Sequence, residues 1–232
     1  MVPTLVLDRQ QARAEHDAPE RAPLMIAIAH NKGGVGKTTT TMVLGRHLAR
    51  YLRVELVDLD ETRYLREMVA RLSRSGDYSL GPRLWLREAK PRTADVVLMD
   101  SPPARGTNTR RALAAADFVL IPAPPEPMAV MAMELMFDVI EQVKTARVDG
   151  NPFLQTLGVV PTMFDRLWPD HVGWLREMET LCRVRGVRMF PPIPRRMSYM
   201  SMSLAGQDYQ PVVDAIREIV GQHHAAIARV SA

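Results

Sequence analysis

The chain has 232 residues, 47% of them hydrophobic, and a formal net charge of +4 at neutral pH. This length fits a single domain with a substantial core, and no apolar run approaches the roughly 20 residues that a membrane-spanning helix needs. The single cysteine, Cys182, excludes an internal disulfide, and the N-terminus lacks the charged-then-apolar layout of a secretion signal. We therefore expect a cytoplasmic protein.

The first 23 residues mix charged residues, alanine and proline, and we predict that they form a mobile N-terminal tail. The apolar run 24–29 then predicts a buried parallel strand. From this strand onward, segments typical of strands alternate with segments typical of helices, without a repeat or a linker. The sequence therefore predicts one domain over residues 24–232.

Directly after that strand, residues 31–39 have the pattern of a phosphate-binding loop. Its glycines let the backbone curl so that successive N–H groups point at a phosphate, and the next helix adds the positive end of its dipole. Lys37 is expected to reach the β- and γ-phosphates, and the Thr38 hydroxyl to bind Mg²⁺. The loop also carries a second lysine, Lys32, and has Asn31 where the usual pattern begins with glycine. The residues predicted to contact the nucleotide here are Lys32, Gly33, Gly34, Val35, Gly36, Lys37, Thr38 and Thr39.

The next predicted strand, 54–58, ends in an Asp-x-Asp pattern formed by Asp58 and Asp60. Strand alternation places both carboxylates on one side of the chain, and ligands of parallel sheets bind beyond the carboxyl ends of the strands. A carboxylate there can orient an attacking water, and Asp60 is our candidate for that role. The alternative is that Asp60 caps the helix predicted over 61–74.

A third predicted strand, 95–100, ends at Asp100, with Ser101-Pro102-Pro103 after it. An aspartate in this place is where a nucleotide-bound Mg²⁺ finds a ligand that it holds through water. We therefore predict that Asp100 and Thr38 form the metal site. The alternative is a turn or helix-cap aspartate.

The rest of the chain continues the alternation. Further strands are predicted at 118–121, 154–160 and 187–190, and further helices at 112–116, 128–147, 171–184 and 211–229. This order predicts an α/β fold, a mostly parallel sheet with helices on both faces. Residues 63–92 hold eight basic residues against three acidic ones, which fits either a polyanion-binding surface or a solvated face.

Together these residues resemble the deviant Walker A ATPases of the ParA/MinD group, and the ParA branch in particular. Segment 32–39 matches the ParA loop without a gap, 57–60 resembles its second acidic motif, and 99–103 resembles its Walker B strand. Segments 121–127, 162–165 and 193–195 resemble the later motifs of the family. The resemblance covers residues 24–220 and implies the phosphate-loop NTPase fold.

The resemblance implies an ATPase that uses ATP and Mg²⁺ and hydrolyses slowly on its own. ATP brings two subunits together as a homodimer, in which Lys32 of one subunit reaches the phosphates of the other, so Lys32, Lys37 and Asp60 are the expected catalytic residues. Thr162 and Pro194 belong to the late motifs and are expected near the base of the nucleotide.

The partners that the resemblance implies are non-specific double-stranded DNA and a ParB-type centromere-binding protein that stimulates hydrolysis, with the protein located on the nucleoid and not on a membrane. For DNA contact we single out Arg195, Arg196 and Arg217, and the alternative for each is a surface arginine paired with a nearby carboxylate.

Two features depart from the family pattern. The second acidic motif usually continues with Pro-Gln, whereas Glu61-Thr62 follow here, and only about 40 residues separate Asp60 from Asp100. The short spacing favours the compact plasmid-type members, and the 23-residue tail is too short for an N-terminal helix-turn-helix domain.

Other functions remain open at this stage. A MinD-like membrane ATPase needs a terminal amphipathic helix with bulky apolar residues, whereas residues 222–232 are small and weakly apolar. A nitrogenase-reductase-like electron donor needs two cysteines in each subunit to hold its iron–sulfur cluster, and the single cysteine of this chain excludes that function. A metabolic ligase such as dethiobiotin synthetase would not explain the presence of Lys32. A DNA-binding protein without enzymatic activity would not explain the phosphate-binding loop. A positioner of another cargo, such as a carboxysome or a chemoreceptor cluster, fits equally well.

Overall fold

Strands and helices alternate along the chain in the computed structural model, which describes residues 22–76, 78–87, 93–102, 107–196 and 206–230. The strands are β1 Leu24–Ile28, β2 Val54–Asp58, β3 Leu84–Leu86, β4 Val96–Asp100, β5 Phe118–Ala123 and β6 Gln155–Pro161. The helices are α1 Lys37–Leu48, α2 Tyr64–Ser75, α3 Thr107–Ala115, α4 Pro127–Thr145, α5 Pro169–Val184 and α6 Gln210–Val230, and a 3₁₀ turn, Gly206–Tyr209, precedes α6. Residues 1–21 of the predicted tail lie outside the described residues.

The six strands form one sheet in the order β3-β2-β4-β1-β5-β6, and each neighbouring pair is parallel. Apolar side chains of α1, α2 and α6 pack against one face, and those of α3, α4 and α5 pack against the other. Parallel strands that are covered on both faces need apolar residues at successive positions, and β1 and β4 are buried along their whole length. The predicted fold class is confirmed.

The register of the central strands assembles the site. Asp100, the last residue of β4, lies opposite Ile28 at the end of β1 and opposite Asp58 at the end of β2. Because these parallel strands end together, the loop after β1 and both aspartates share one edge of the sheet.

Three predictions need correction. The predicted strand over 187–190 is wrong: this segment meets the sheet only through an isolated bridge from Met189 to Val159, and the prolines that follow have no N–H to continue a ladder. Strand β3 is absent from the sequence-based prediction. The helix predicted over 112–116 begins earlier, at Thr107, and the helix predicted to start at residue 61 begins at Tyr64.

Candidate phosphate-binding site

The loop between β1 and α1 curls through two glycines in the left-handed region, Gly34 with φ 74° and Gly36 with φ 93°. Other L-residues rarely adopt such angles, and no atom lies within 4 Å of the position that a Cβ on Gly34 would take. Gly36 is the N-cap of α1 and provides no side-chain cap, and the first helical turn has no acidic residue. The first N–H groups of α1 therefore receive no cap from a side chain of the N-cap residue, which leaves them able to bind a phosphate.

A buried amide at the start of the loop also lacks a partner. Both polar side-chain atoms of Asn31 are buried, and neither forms a hydrogen bond within the described part of the chain. Buried polar groups in folded proteins are nearly always satisfied. Together with the open helix end, this indicates that the loop is shaped to receive a polar group, and a nucleotide phosphate fits it.

Lys37 lies inside the loop and not on the surface. Its side chain is buried, and its ammonium donates a hydrogen bond to the main-chain carbonyl of Lys32 at 3.1 Å. Burial lowers the pKa of Lys37, and the charges of Asp100 and Asp60 oppose that shift. Among the described contacts, this buried ammonium is bonded to a neutral carbonyl and to no carboxylate, so it is well placed to bind an anion that enters the loop.

Asp100 is buried beside two hydroxyl groups of α1. The Thr38 hydroxyl donates to its Oδ2 at 2.6 Å, and the Thr41 hydroxyl lies 3.5 Å from its Oδ1. Burial raises the pKa of Asp100 to about 7; the Thr38 hydrogen bond opposes the rise, and Asp58 adds to it. The described residues contain no group of three or more His, Cys, Asp or Glu side chains able to hold a metal. An oxygen pair of this kind suits Mg²⁺, which takes one or two protein oxygens and completes its shell with phosphate and water.

Asp58 and Asp60 have different roles in the structure. Asp58 accepts hydrogen bonds from the N–H groups of Asp60 and Arg66, at 3.1 and 3.0 Å, and Arg66 is in the first turn of α2. Asp58 therefore does the capping that the sequence suggested as an alternative for Asp60. Asp60 instead closes a turn with Thr62, whose N–H and hydroxyl both donate to its Oδ1.

Lys32 points away from the loop interior. Its ammonium lies 3.2 Å from a carboxylate oxygen of Glu126, and both side chains are partly exposed. Its N–H donates to Nδ1 of the buried His30 at 2.9 Å. The two lysines of the loop thus face different surroundings. The sequence analysis missed His30 and Glu126, although Glu126 lies within the segment 121–127 that it quoted.

One of the late motifs contacts the phosphate-binding loop through Thr162. The Thr162 hydroxyl donates to the carbonyl of Val35 at 2.8 Å, and Met163 has a positive φ of 54°. Pro194 lies in a bridge with Phe164, and among the described contacts none joins it to the loop. The structure therefore places Thr162 at the loop, while the predicted contacts of Thr162 and Pro194 with the nucleotide stay predictions.

The three arginines chosen for DNA contact lie on exposed surface. Arg196 pairs with Asp208 at 3.1 Å, and Arg217 pairs with Asp214 at 3.6 Å while its guanidinium lies 3.9 Å from the ring centre of Tyr51. Arg195 is exposed, and its N–H donates to the carbonyl of Phe164. The alternative of arginine–carboxylate pairs therefore holds for Arg196 and Arg217, and DNA contact stays a prediction for all three.

Exposed apolar side chains line a cavity beside Lys32. Met128 of α4 is 64% exposed, and Trp168, ahead of α5, is 49% exposed. A cavity of about 260 Å³ separates these helices, with Lys32 and Trp174 in its wall. No pattern identified in the sequence marked these exposed side chains.

Known proteins resemble the chain in sequence and in fold. Residues 26–208 match the family model described as the CobQ/CobB/MinD/ParA nucleotide binding domain. The chain is 33% identical over 175 residues to the chromosome-partitioning ATPase Soj of Thermus thermophilus, over 60% of this chain and 69% of that protein. It is 30% identical over 178 residues to the maintenance of carboxysome distribution protein A of Gloeobacter kilaueensis, over 72% of this chain and 74% of that protein. The solved ATP complex of an McdA variant from Cyanothece is similar in fold, with a TM-score of 0.67 and 20% identity over 88% of this chain and 96% of that one.

Proposed function

The chain belongs to the CobQ/CobB/MinD/ParA nucleotide-binding family, and we propose that it is a partition ATPase that dimerises with ATP, binds DNA without sequence preference and responds to a ParB-type partner. The observation that carries this proposal is the position of the two loop lysines. Lys37 is buried in the loop, whereas the ammonium of Lys32 is at the surface beside Glu126. A lysine that faces away from its own loop is available to a second subunit.

The loop residues fit the predicted nucleotide roles. The amides of residues 33–39 would hold the phosphates, with Lys37 against the β- and γ-phosphates. Thr38 and Asp100, whose oxygens lie 2.6 Å apart, would hold Mg²⁺, with Asp100 acting through water. Thr162 keeps the loop in place through Val35.

Catalysis in this proposal depends on charge and position. Bound ATP and Mg²⁺ supply the phosphoryl group and neutralise part of its charge. Lys32 adds a cation from the opposite subunit, as an arginine finger does, and Asp60 orients the attacking water. Because each site needs a lysine from the other subunit, hydrolysis depends on dimerisation and the protein acts as a switch.

The exposed apolar side chains beside Lys32 support face-to-face pairing. Met128 and Trp168 are exposed and line the same cavity as the lysine that has to cross between subunits. Burying such side chains against a second copy stabilises a dimer by roughly 25 cal/mol for each Å² of apolar area removed from water.

Relatives support a role in DNA partition, and one points to a second candidate. Soj of Thermus thermophilus and ParA of Myxococcus xanthus, the latter 32% identical over 187 residues, are named for chromosome partitioning. The Gloeobacter relative is named for carboxysome distribution. Positioning of another cargo by the same ATP cycle is therefore the second candidate, which the neighbouring genes would distinguish from partition.

A MinD-like membrane role has less support. No helix within the described ranges is long and apolar enough to cross a membrane. The first half of α6 buries Val212, Val213 and Ile216 in the core, so this part of the helix has no free apolar face for lipid. Flotation with anionic liposomes and ATP tests the membrane alternative directly.

The experiment that tests the proposed function is ATP-dependent binding to a random-sequence duplex. We expect binding with ATP and Mg²⁺, little with ADP, equal affinity for unrelated sequences and a steep loss with salt, because phosphate contacts dominate. Binding that is independent of the nucleotide, or absent in every nucleotide state, contradicts the proposal.

A further inference from the structure

His30 joins the start of the loop to α4. Its ring is fully buried; Nδ1 accepts the N–H of Lys32 at 2.9 Å, and Nε2 lies 3.2 Å from the carbonyl of Ala129 in the first turn of α4. A carbonyl can only accept, so Nε2 carries the proton and Nδ1 is free to accept. Burial, helped by the charge of Lys37, lowers the pKa of His30 to about 4, which keeps the ring neutral and this pattern intact at neutral pH.

Lys32 is held at three points in the free subunit. His30 accepts its N–H, its carbonyl accepts a hydrogen bond from Lys37 at 3.1 Å, and its ammonium pairs with Glu126 at 3.2 Å. Glu126 is the N-cap residue of α4, and Ala129 is in the first turn of that helix. The end of α4 therefore restrains both the backbone and the side chain of Lys32.

One of these three contacts has to break during the ATP cycle, an argument that rests on the proposed function. Lys32 leaves Glu126 when it reaches the other subunit, whereas the Lys37 ammonium has three N–H donors and can keep the Lys32 carbonyl while it binds the phosphates. The hydrogen bond to His30 involves neither ammonium, so it persists when the Lys32 side chain moves. A lysine side chain has four rotatable bonds. Its ammonium is therefore placed accurately in the opposite site only if the main chain of the lysine is held in a fixed position.

We propose that His30 is the positioning residue for Lys32: it fixes the backbone from which Lys32 extends into the opposite subunit, through a hydrogen bond that is kept throughout the cycle. His30 does not contact ATP in this account. Its loss is expected to reproduce the loss of Lys32 and to leave the phosphate loop able to bind nucleotide.

Two substitutions separate positioning from packing. His30→Ala removes both hydrogen bonds. His30→Asn retains an acceptor for the N–H two residues ahead, the geometry of an Asx turn, and is too short to reach Ala129. As a control for fold stability, Asn151→Ala removes another buried side chain, which donates to the carbonyls of Leu113 and Ala116 away from the loop.

The measurement is ATP affinity and ATP-dependent dimerisation for wild type, both His30 variants, the Asn151 control, Lys32→Ala and the double variant His30→Ala/Lys32→Ala. At protein concentrations too low for dimerisation, we expect the monomer of each variant to bind ATP within about threefold of the wild-type monomer, because Lys37 and the loop amides remain. His30→Ala should weaken dimerisation roughly tenfold or more, as the loss of one buried hydrogen bond predicts, and His30→Asn should restore most of it. The double variant should be no worse than Lys32→Ala, because both changes remove one function.

Other outcomes would contradict either the role of His30 or the proposed function. Dimerisation of His30→Ala at the wild-type level, failure of His30→Asn to restore it, an additive loss in the double variant or an equal loss in Asn151→Ala overturns the positioning role. If Lys32→Ala dimerises like wild type, the proposed function fails. If Lys32→Ala fails to dimerise while His30→Ala does not, only the inference about His30 fails.

Discussion

The two lysines of the loop show how position decides the role of identical side chains. Lys37 is buried and donates to a carbonyl of the loop, whereas Lys32, five residues earlier, pairs with Glu126 at the surface. The lysine pattern was visible in the sequence. The different surroundings of the two side chains were not, because the ammonium of Lys32 pairs with Glu126, which does not belong to the phosphate-loop pattern.

Lys37→Ala tests the loop itself. We expect ATP affinity to fall by roughly 10- to 100-fold or more, because a buried charge-assisted contact to phosphate is lost. Titration with a fluorescent ATP analogue measures it. The matched control is Lys144→Ala, which removes an equal charge from a surface pair with Glu141 on α4. Normal ATP binding by Lys37→Ala contradicts the assignment of the loop.

The raised pKa of Asp100 predicts how the stability of the folded protein changes with pH. Its pKa in the folded protein, about 7, lies above the ordinary value of 3.8, so the folded state holds this proton more tightly than the unfolded state. Without Mg²⁺, its contribution to stability is present at low pH and is lost as pH rises from about 4 through 7.

We therefore expect Asp100→Asn to be more stable than wild type in EDTA at pH 8, by about 1–4 kcal/mol, and this advantage to shrink towards pH 5. Urea unfolding of both proteins at several pH values measures the difference, and the opposite effect of His30 cancels because both proteins contain it. A constant difference across this range contradicts the raised pKa.

Among the secondary-structure elements, the sequence predicted best those strands and helices in which one hydrophobic periodicity runs through the whole segment. The strands around 24–29, 54–58 and 95–100 are close to the observed β1, β2 and β4, and the pattern at 128–147 nearly matches α4. Strand β3 has three residues, which are too few to show the alternation of a strand in the sequence. The segment 187–190 has strand-like residues, but prolines prevent continuous pairing.

The start of α2 shows why the capping alternative considered for Asp60 applies to Asp58 instead. Arg63, with φ 56°, stands at the N-cap without a side-chain cap, so the helix begins later than the sequence suggested. Asp58 reaches the N–H of Arg66 from the end of β2, eight residues earlier. Capping patterns in a sequence are local, and this contact depends on how β2 and α2 meet.

Asp58 and Asp60 can be separated by substitution. Asp58→Ala should lower the free energy of unfolding by roughly 1 kcal/mol, as the loss of a helix cap does. Asp60→Ala should change stability less, because its described contacts are to exposed groups of a turn, and should slow ATP hydrolysis. Chemical denaturation and phosphate release measure the two effects. Equal turnover in wild type and Asp60→Ala would reduce Asp60 to a turn residue.

At the scale of the molecule, dimerisation as proposed would double each basic surface, and for this reason we expect DNA binding to depend on ATP. Arg195→Glu/Arg196→Glu should lose binding to random duplex and keep the ATP dimer, because phosphate contacts add up along a continuous surface. Electrophoretic mobility shifts at several salt concentrations measure it.

The matched control is Arg183→Glu/Arg185→Glu at the end of α5, which changes the net charge equally. If both double variants bind DNA as wild type does, the DNA surface lies elsewhere, and the arginine-rich segment 63–92 is the next candidate.

The central claim is that Lys32 acts in the opposite subunit, and mixing two inactive variants tests it most directly. Lys32→Ala keeps Asp60, and Asp60→Ala keeps Lys32, while both retain the loop that binds ATP. In a mixed dimer, the site of the Lys32→Ala subunit has its own Asp60 and receives Lys32 from its neighbour.

An equal mixture should therefore recover clear turnover, at most roughly a quarter of the wild-type rate. Random pairing would make half of the dimers mixed, each with one complete site, and weaker pairing of the Lys32→Ala subunit lowers that share. If Lys32 acts within its own subunit, no mixed site is complete. ATP hydrolysis by the mixture no faster than by either variant alone would contradict the account.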